Sequence, residues 1–511
     1  MHIGRVIGNR VLETTFRMNF GEELQVGEML VAESGPTSDR YLIRVMDIEH
    51  GADSDELNWM SIEAGRMLRM DAEQHEYDLG KIYDNLHCIG TSSPLGCIGD
   101  EFRKTKTIPH HFSKVRRTNA DDYEFLKDTL GDIQVGSLRS GDRVMNFPVG
   151  ISGRSIPHHI GIFATTGMGK SNLMKNLALS CMRLRKYGFL ILDPHGEYYD
   201  GGEVGKKGLK QAELDDALVV FSSRKLDGPY NSLHVASSEI QIADLENLYE
   251  FTQAQKEFME NAQFKFQDTW LTDINDKSVQ EIHGALGGRF HEGSINVVKR
   301  RLETLFRFDL ISRDPKLSIT NHVIDCLHDG KVVLVDTSNM YEAEELLIST
   351  VLARAIFERH KLIYGDKAKF EKIPPVLIAL EEAQRVLTEA KGSIFAQIAR
   401  EGRKFKAGLC AVSQQPKLID SEVISQFNTL FILGLADRRD REILRNSAKQ
   451  DISQLDNEIQ MLMPGEALIA SPFTPFAIPV KVHLYENYLE KSVEDAPKRV
   501  FKKSMINNTF Y

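Results

Sequence analysis

Ala164-Thr-Thr-Gly-Met-Gly-Lys-Ser171 lies between a short apolar run, His159-Ile-Gly-Ile-Phe163, and a helical pattern from Asn172 to Leu184. Strand, glycine-containing turn and helix in that order form the setting of a phosphate-binding P-loop. Backbone N–H groups around Gly167 and Gly169 can converge on phosphate oxygens, and the helix start at Lys170 adds free donors and the positive end of its dipole. Lys170 reaches β- and γ-phosphates in such a loop, and the Ser171 hydroxyl binds Mg²⁺. Thr165, Thr166, Met168 and Asn172 complete the stretch expected around the nucleotide. Ala164 stands where the general pattern has glycine, which is compatible with the bend if that residue does not adopt a positive φ.

Two further segments carry acids and amides at strand ends. Val376-Leu-Ile-Ala-Leu-Glu-Glu382 has the form of a Walker B strand. Glu381 is expected in the Mg²⁺ shell, directly or through water, and Glu382 is expected to orient or deprotonate the attacking water. Val412-Ser-Gln-Gln-Pro416 ends another core strand, with Gln414 placed to touch the γ-phosphate or that water and Ser413 behind it. In Ile398-Ala-Arg-Glu-Gly-Arg-Lys-Phe405, Arg400 and Arg403 are three residues apart, expected on one helical face. Either suits a finger meeting transition-state charge from a neighbouring subunit, because guanidinium stays cationic. Arg438, Arg439 and Arg441 are weaker candidates for the same work.

The chain has 511 residues, enough for two to four modules. Hydrophobic residues make up 42% and charged residues 27%, a globular balance rather than a disordered one. No apolar run is long enough for a bilayer and the first residues lack a signal-peptide layout, so a cytoplasmic location without membrane is expected. Five scattered cysteines fit reduced thiols, and Cys88, Cys97 and His87 lack the second paired cluster of a metal site. A net charge of −10 argues against a broad basic surface but leaves room for a narrow, lysine-lined channel.

Short alternating segments from residue 2 to about 50, with turns at Gly8-Asn9, Gly21 and Gly35-Pro36, predict a small β-barrel over 1–110. A helix from about Asp55 to Asp71 interrupts it, and strand-like pieces return near Lys81 to Ile89 and near Cys97. Residues 111–150 read as a connecting segment with a helix near Asp121 to Leu130. Strand–helix repeats then predict an α/β core over 151–239 and 311–485, split by a helical insertion at 240–310. The polar, basic tail 486–511 is expected to be mobile or to lie on a neighbour.

Together with Leu192-Asp-Pro-His-Gly-Glu-Tyr-Tyr199, Leu380-Glu-Glu-Ala-Gln384 and Pro464-Gly-Glu-Ala-Leu-Ile469, the motif order resembles that of the HerA family of the FtsK-like branch of P-loop ATPases. The resemblance covers nearly the whole chain. It implies a RecA-like P-loop ATPase core, an N-terminal β-barrel, an α-helical insertion and a homohexameric ring. It further implies ATP and Mg²⁺ as cofactors, double-stranded DNA as the track, and a nuclease of the NurA type or another effector as partner. The implied activity is an ATP-driven DNA translocase or helicase in end processing; the alternatives are the ATPase of an antiphage defence complex and an ATP-assembled scaffold. Asp193 and Glu197 are placed near the nucleotide by the same resemblance, and Gln384 stands where the family usually has histidine. Lys206, Lys207 and Lys210 are candidates for a DNA-facing loop, against the alternative of a solvated surface run.

Overall fold

The computed structural model describes residues 2–19, 21–35, 37–53, 59–72, 86–99, 101–203, 205–214, 216–307, 310–388 and 393–495. Six strands close a barrel at the N-terminus: β1 (His2–Arg10), β2 (Glu13–Asn19), β3 (Met29–Glu33), β4 (Arg40–Ala52), β5 (Leu86–Ile98) and β6 (Lys114–Arg117). Their order is β1-β2-β5-β4-β3-β6, with β6 pairing back onto β1, so no edge is left exposed. Val6, Phe16, Leu30, Ile43 and Val115 fill its interior. The helix expected from Asp55 runs over Trp59–Ala72; the first part of that stretch, and the strand start at Lys81, lie outside the described residues.

The second unit is a twelve-stranded sheet. Its strands are β7 (Ile133–Ser140), β8 (Arg143–Ile151), β9 (Ile160–Phe163), β10 (Gly188–Asp193), β11 (Leu218–Ser222), β12 (Asn231–Ser232), β15 (Val332–Asp336), β16 (Val376–Leu380), β17 (Ala407–Ser413), β18 (Thr429–Ile432), β19 (Glu466–Ala470) and β20 (Ile478–Val482). The spatial order is β12-β11-β15-β10-β16-β17-β9-β18-β19-β20-β7-β8. From β12 to β18 every neighbouring pair is parallel, whereas β19, β20, β7 and β8 run antiparallel. The central parallel strands β15, β10, β16 and β17 are buried on both faces and therefore appear in the sequence as continuous apolar runs.

Three sequence expectations change. Residues 111–150 are not a connector: β6 closes the barrel, while β7 and β8 extend the core sheet through β20. The expected helix at 121–130 is a 3₁₀ turn, Ala120–Leu126, capped by the Asn119 side chain. The tail does not begin as a free segment at 486, because Tyr485–Asp495 is a helix whose Tyr485 and Leu489 are buried. Apolar residues four apart on that helix give it a face to bury. Residues 496–511 lie outside the described part.

Between β12 and β15 the chain leaves the sheet. Helices Ile242–Glu246, Gln253–Phe266, Trp270–Asp276, Val279–Ala285 and Glu292–Phe306 pack around Trp270, Phe258 and Leu302. A two-residue parallel pair, β13 (Val235–Ala236) with β14 (Ile311–Ser312), ties the ends of this excursion together. No helix among the described residues is long and apolar enough to cross a membrane.

Candidate active site

Four parallel strands, in the order β10-β16-β17-β9, deliver the site residues at their C-terminal ends. Open parallel sheets form ligand crevices there. After β9 the chain turns through Thr165–Gly169 into the helix Lys170–Leu184. Gly167 (φ +80°) and Gly169 (φ +104°) occupy the left-handed region, and Ala164 is buried without a positive φ. Glycine is thus needed at 167 and 169 but not at 164. The Thr165 hydroxyl donates to the carbonyl of Gly434 (2.9 Å), and the Met168 carbonyl accepts from Gly465 N–H (3.1 Å). Both residues, expected at the nucleotide, spend these groups on anchoring the loop to β18 and to the turn before β19.

A cavity of about 690 Å³ opens above this turn, and its lining includes Thr166, Gly167, Gly169, Lys170, Ser171, Asp193, Glu197, Glu381, Glu382 and Gln414. The Lys170 ammonium donates to the carbonyls of Ala164 (3.3 Å) and Thr165 (3.4 Å). Burial holds its pKa below the usual lysine value, opposed by Glu381, Glu382 and Glu197. The Ser171 hydroxyl donates to Glu197 at 2.8 Å. Asn172, also expected at the nucleotide, is committed elsewhere: its amide donates to the His483 carbonyl (2.8 Å) and its oxygen accepts from Tyr485 N–H (2.8 Å).

The two acids after β16 differ. Burial raises Glu381 to about 7, and its carboxylate accepts from the Tyr198 hydroxyl, whose hydrogen bond opposes that rise. Glu382 has φ +47°, a left-handed conformation uncommon outside glycine, and this kink turns its carboxylate into an amide network. Gln414 donates to Glu382 Oε1 (3.2 Å), Gln384 donates to Oε2, and Ser413 donates to the Gln384 oxygen (2.6 Å). Gln414 in turn accepts from the Thr166 hydroxyl, linking the second acid to the phosphate loop. His195 Nε2 lies 4.0 Å from Glu382.

Asp193 is fully buried, and its two oxygens accept from four backbone N–H groups, those of His195, Gly196, Glu197 and Tyr198. Burial still raises it to about 6, with Asp336 adding to the rise. Its carboxylate shapes the loop that presents Glu197 to Ser171 and Tyr198 to Glu381. Sequence reasoning missed Tyr198 and the joint role of Gln384 and Ser413. The motifs containing them were visible, but not which side chain each would face.

Arg400 and Arg403 are both exposed and are not among the described residues that line the cavity. Their expected common helical face does not form. The helix ends at Glu401 and a 3₁₀ turn, Gly402–Phe405, follows. Gly402 makes the turn possible: a Cβ there would lie 2.0 Å from the Ala407 carbonyl oxygen. Arg400 Nε is 3.7 Å from Glu422. Arg441 is buried, pairs with Asp456 (2.8 Å) and donates to the carbonyls of Leu435 and Ala436, a structural set of contacts. Lys206, Lys207 and Lys210 do not form a free basic run either. Lys206 pairs with Glu203 (2.8 Å), Lys207 with Glu490 (2.9 Å), and Lys210 approaches Asp227 (3.9 Å).

No preformed cluster of three acidic, histidine or cysteine ligands occurs among the described residues. The oxygens of Ser171, Glu197 and Glu381 nevertheless suit Mg²⁺, which is held by one or two protein groups plus phosphate oxygens rather than by a protein cage.

Residues 133–356 match the family model described as Helicase HerA, central domain. A probable helicase of Methanocaldococcus jannaschii is 27% identical over 389 residues, covering 72% of this chain and 70% of the relative. The DNA double-strand break repair helicase HerA of Pyrococcus furiosus is 23% identical over 523 residues, 92% of this chain and 89% of the relative. Among solved structures, plasmid coupling protein TrwB in complex with ADP and Mg²⁺ aligns with 72% of this chain and 93% of its own, at 13% identity and a TM-score of 0.46. The family match and the HerA relatives bear out the resemblance read from the motif order.

Proposed function

We propose that this HerA-type chain is an ATPase that moves or unwinds double-stranded DNA as a homohexameric ring, working with a nuclease of the NurA type in DNA end processing. The observation that carries the reading is the convergence of Lys170 and Ser171 with Glu381 and Glu382 on one cavity, the second acid tied to the phosphate loop through Gln414 and Thr166. The DNA substrate is supported by relatives named as DNA double-strand break repair helicases, and the nuclease partner by the motif resemblance alone.

The glycine turn and the start of the helix at Lys170 supply backbone donors for the phosphates, and Lys170 supplies a cation at the terminal ones. Ser171, Glu381 and Glu197 would hold Mg²⁺, which when bound offsets charge on the phosphate oxygens. Glu382 accepts a hydrogen bond from the attacking water and aligns it. Gln384 and Gln414 fix the orientation of that carboxylate, and the Thr166 contact makes it responsive to the phosphate loop. Arg400 or Arg403, absent from the cavity of its own chain, reaches the nucleotide of the next protomer. Contacts of the ring with DNA phosphates are independent of sequence and weaken with salt.

ATP turnover measured with and without linear duplex DNA tests this reading, with the oligomeric state read from mass in solution. Duplex-stimulated hydrolysis by a hexamer is the expected result. A monomer that ignores ATP with and without duplex ends overturns the proposal.

A further inference from the structure

The cavity is longer than the phosphate loop requires. Besides the phosphate loop its lining takes in Asn172 and Lys175 of the helix, Glu203 and Lys206, and Leu484 and Glu486 at the start of the C-terminal helix, with Lys175 and Lys206 near enough to Glu486 to feel its charge. The wall at Leu484 and Glu486 is built, not incidental. Asn172 and Asn176 both donate to the His483 carbonyl (2.8 and 2.6 Å), Asn172 accepts from Tyr485 N–H, and the buried Tyr485 hydroxyl donates to the Gly208 carbonyl (3.1 Å). Backbone on both sides of Leu484 is thereby fixed. Leu484 itself is 56% exposed although it stands between anchored neighbours. Glu486 Oε1 accepts from Lys207 N–H at 3.3 Å, which leaves acceptor capacity on its second oxygen.

An aliphatic side chain offers a triphosphate neither charge nor a hydrogen bond, and the carboxylate beside it lies away from Ser171 and Glu381, the groups assigned to Mg²⁺. Together the leucine and the carboxylate suit a purine ring carrying an exocyclic amine, which offers a face to pack on leucine and a donor to the carboxylate. We propose that Leu484 and Glu486 form the nucleobase subsite, so that the docked C-terminal helix completes the nucleotide site. Leu484 packs against the base and Glu486 accepts from its amine. This rests on the ATPase reading above and adds the residues that select the base. The Asn172 clamp then has a clear purpose: the residue next to the phosphate-binding serine positions the base-binding wall.

The test is calorimetric binding of ATP, ITP and inorganic tripolyphosphate, each with Mg²⁺, to the full chain and to Leu484→Ala and Glu486→Ala. The wild type is expected to bind ATP more tightly than tripolyphosphate, and more tightly than ITP, which lacks the amine. Leu484→Ala should weaken ATP about tenfold, the loss of roughly one packed aliphatic side chain, while leaving tripolyphosphate unchanged. Glu486→Ala should bring ATP and ITP affinities together. The subsite is overturned if both variants bind ATP like the wild type, or if they lose ATP and tripolyphosphate in step. A wild type that binds tripolyphosphate as tightly as ATP refutes the subsite alone. A wild type that binds neither refutes the ATPase reading beneath it.

Discussion

Replacing Glu458 by alanine should unfasten the barrel from the core. Glu458 lies on the helix Asp456–Met461 and is 4% exposed. Its Oε1 accepts from Arg44 of the barrel strand β4 (2.7 Å) and from Arg139 of the core strand β7 (2.8 Å), both buried. Two charge-assisted hydrogen bonds at about 1.5–3 kcal/mol each bracket the loss. Removing the shared carboxylate also strands two buried guanidinium groups, a change that costs about 3–5 kcal/mol. The remaining contacts of Arg44 with the Ala477 carbonyl and of Arg139 with the Gly141 carbonyl keep the loss toward the lower end. Because a chain of this size is not expected to unfold in one step, the assay is hydrogen exchange of the β4 and β7 amides. Exchange should accelerate by roughly two to three decades, at 1.4 kcal/mol per decade. The triple variant Arg44→Met, Arg139→Met, Glu458→Leu removes every charge at once and should recover most of the protection. Unchanged exchange in Glu458→Ala, or a triple variant as labile as the single, would refute the argument.

Further outcomes follow from the site. Lys170→Ala should weaken ATP binding about 100-fold, by loss of a charge-assisted contact of roughly 3 kcal/mol, as read by calorimetry. Glu382→Gln should retain ATP but lower turnover about 10²- to 10⁴-fold; a normal steady-state rate counts against the assigned role. Tyr198→Phe removes the donor that opposes the raised pKa of Glu381, so the acid limb of the pH–rate profile should move to higher pH; an unmoved profile would exclude this role. Glu381 is raised from 4.5 to about 7, so the folded, nucleotide-free protein holds a proton that the unfolded chain gives up between those values, and this contribution to stability is lost as pH rises through the window. Glu381→Gln lacks that loss, so its thermal midpoint should gain on the wild type between about pH 4.5 and 7 and hold a constant difference above. The difference between the two proteins is the quantity to measure, since buried His159 and His360, both lowered to about 4, give the wild type an opposing slope.

The parallel half of the sheet was legible because its central strands are buried on both faces. Val376–Leu380 and Gly188–Asp193 are runs that only a two-sided core can hide. The antiparallel half was not. In β8, Val144 is half exposed while Met145 and Phe147 are buried, and such short alternation around the turn at Gly141 looks like a linker until β20 is placed beside β7. That pairing joins residues more than 300 positions apart, for instance Val480 with Leu138, and no local pattern encodes it. The Arg44–Glu458–Arg139 bracket was hidden for the same reason.

At the site, residue types were legible where chemistry alone selects them and illegible where packing decides their partner. Lys170, Ser171, Glu381, Glu382 and Gln414 line one cavity, as their motifs implied. Asn172 sits beside Ser171 in the chain, yet its amide is taken up by residues 483–485, more than 300 positions away. Asp193 ends a strand at the ligand crevice, yet four backbone N–H groups occupy its oxygens. In both cases the residue nearest the nucleotide in sequence holds a neighbouring segment in place, and that segment supplies the group facing the cavity: Glu197 and Tyr198 for Asp193, Leu484 and Glu486 for Asn172. A substitution at Asn172 or Asp193 should therefore act on nucleotide binding through the loop or helix it holds. Asn172→Ala should release the C-terminal helix, seen as faster exchange at Tyr485–Leu489, before any contact with phosphate is lost.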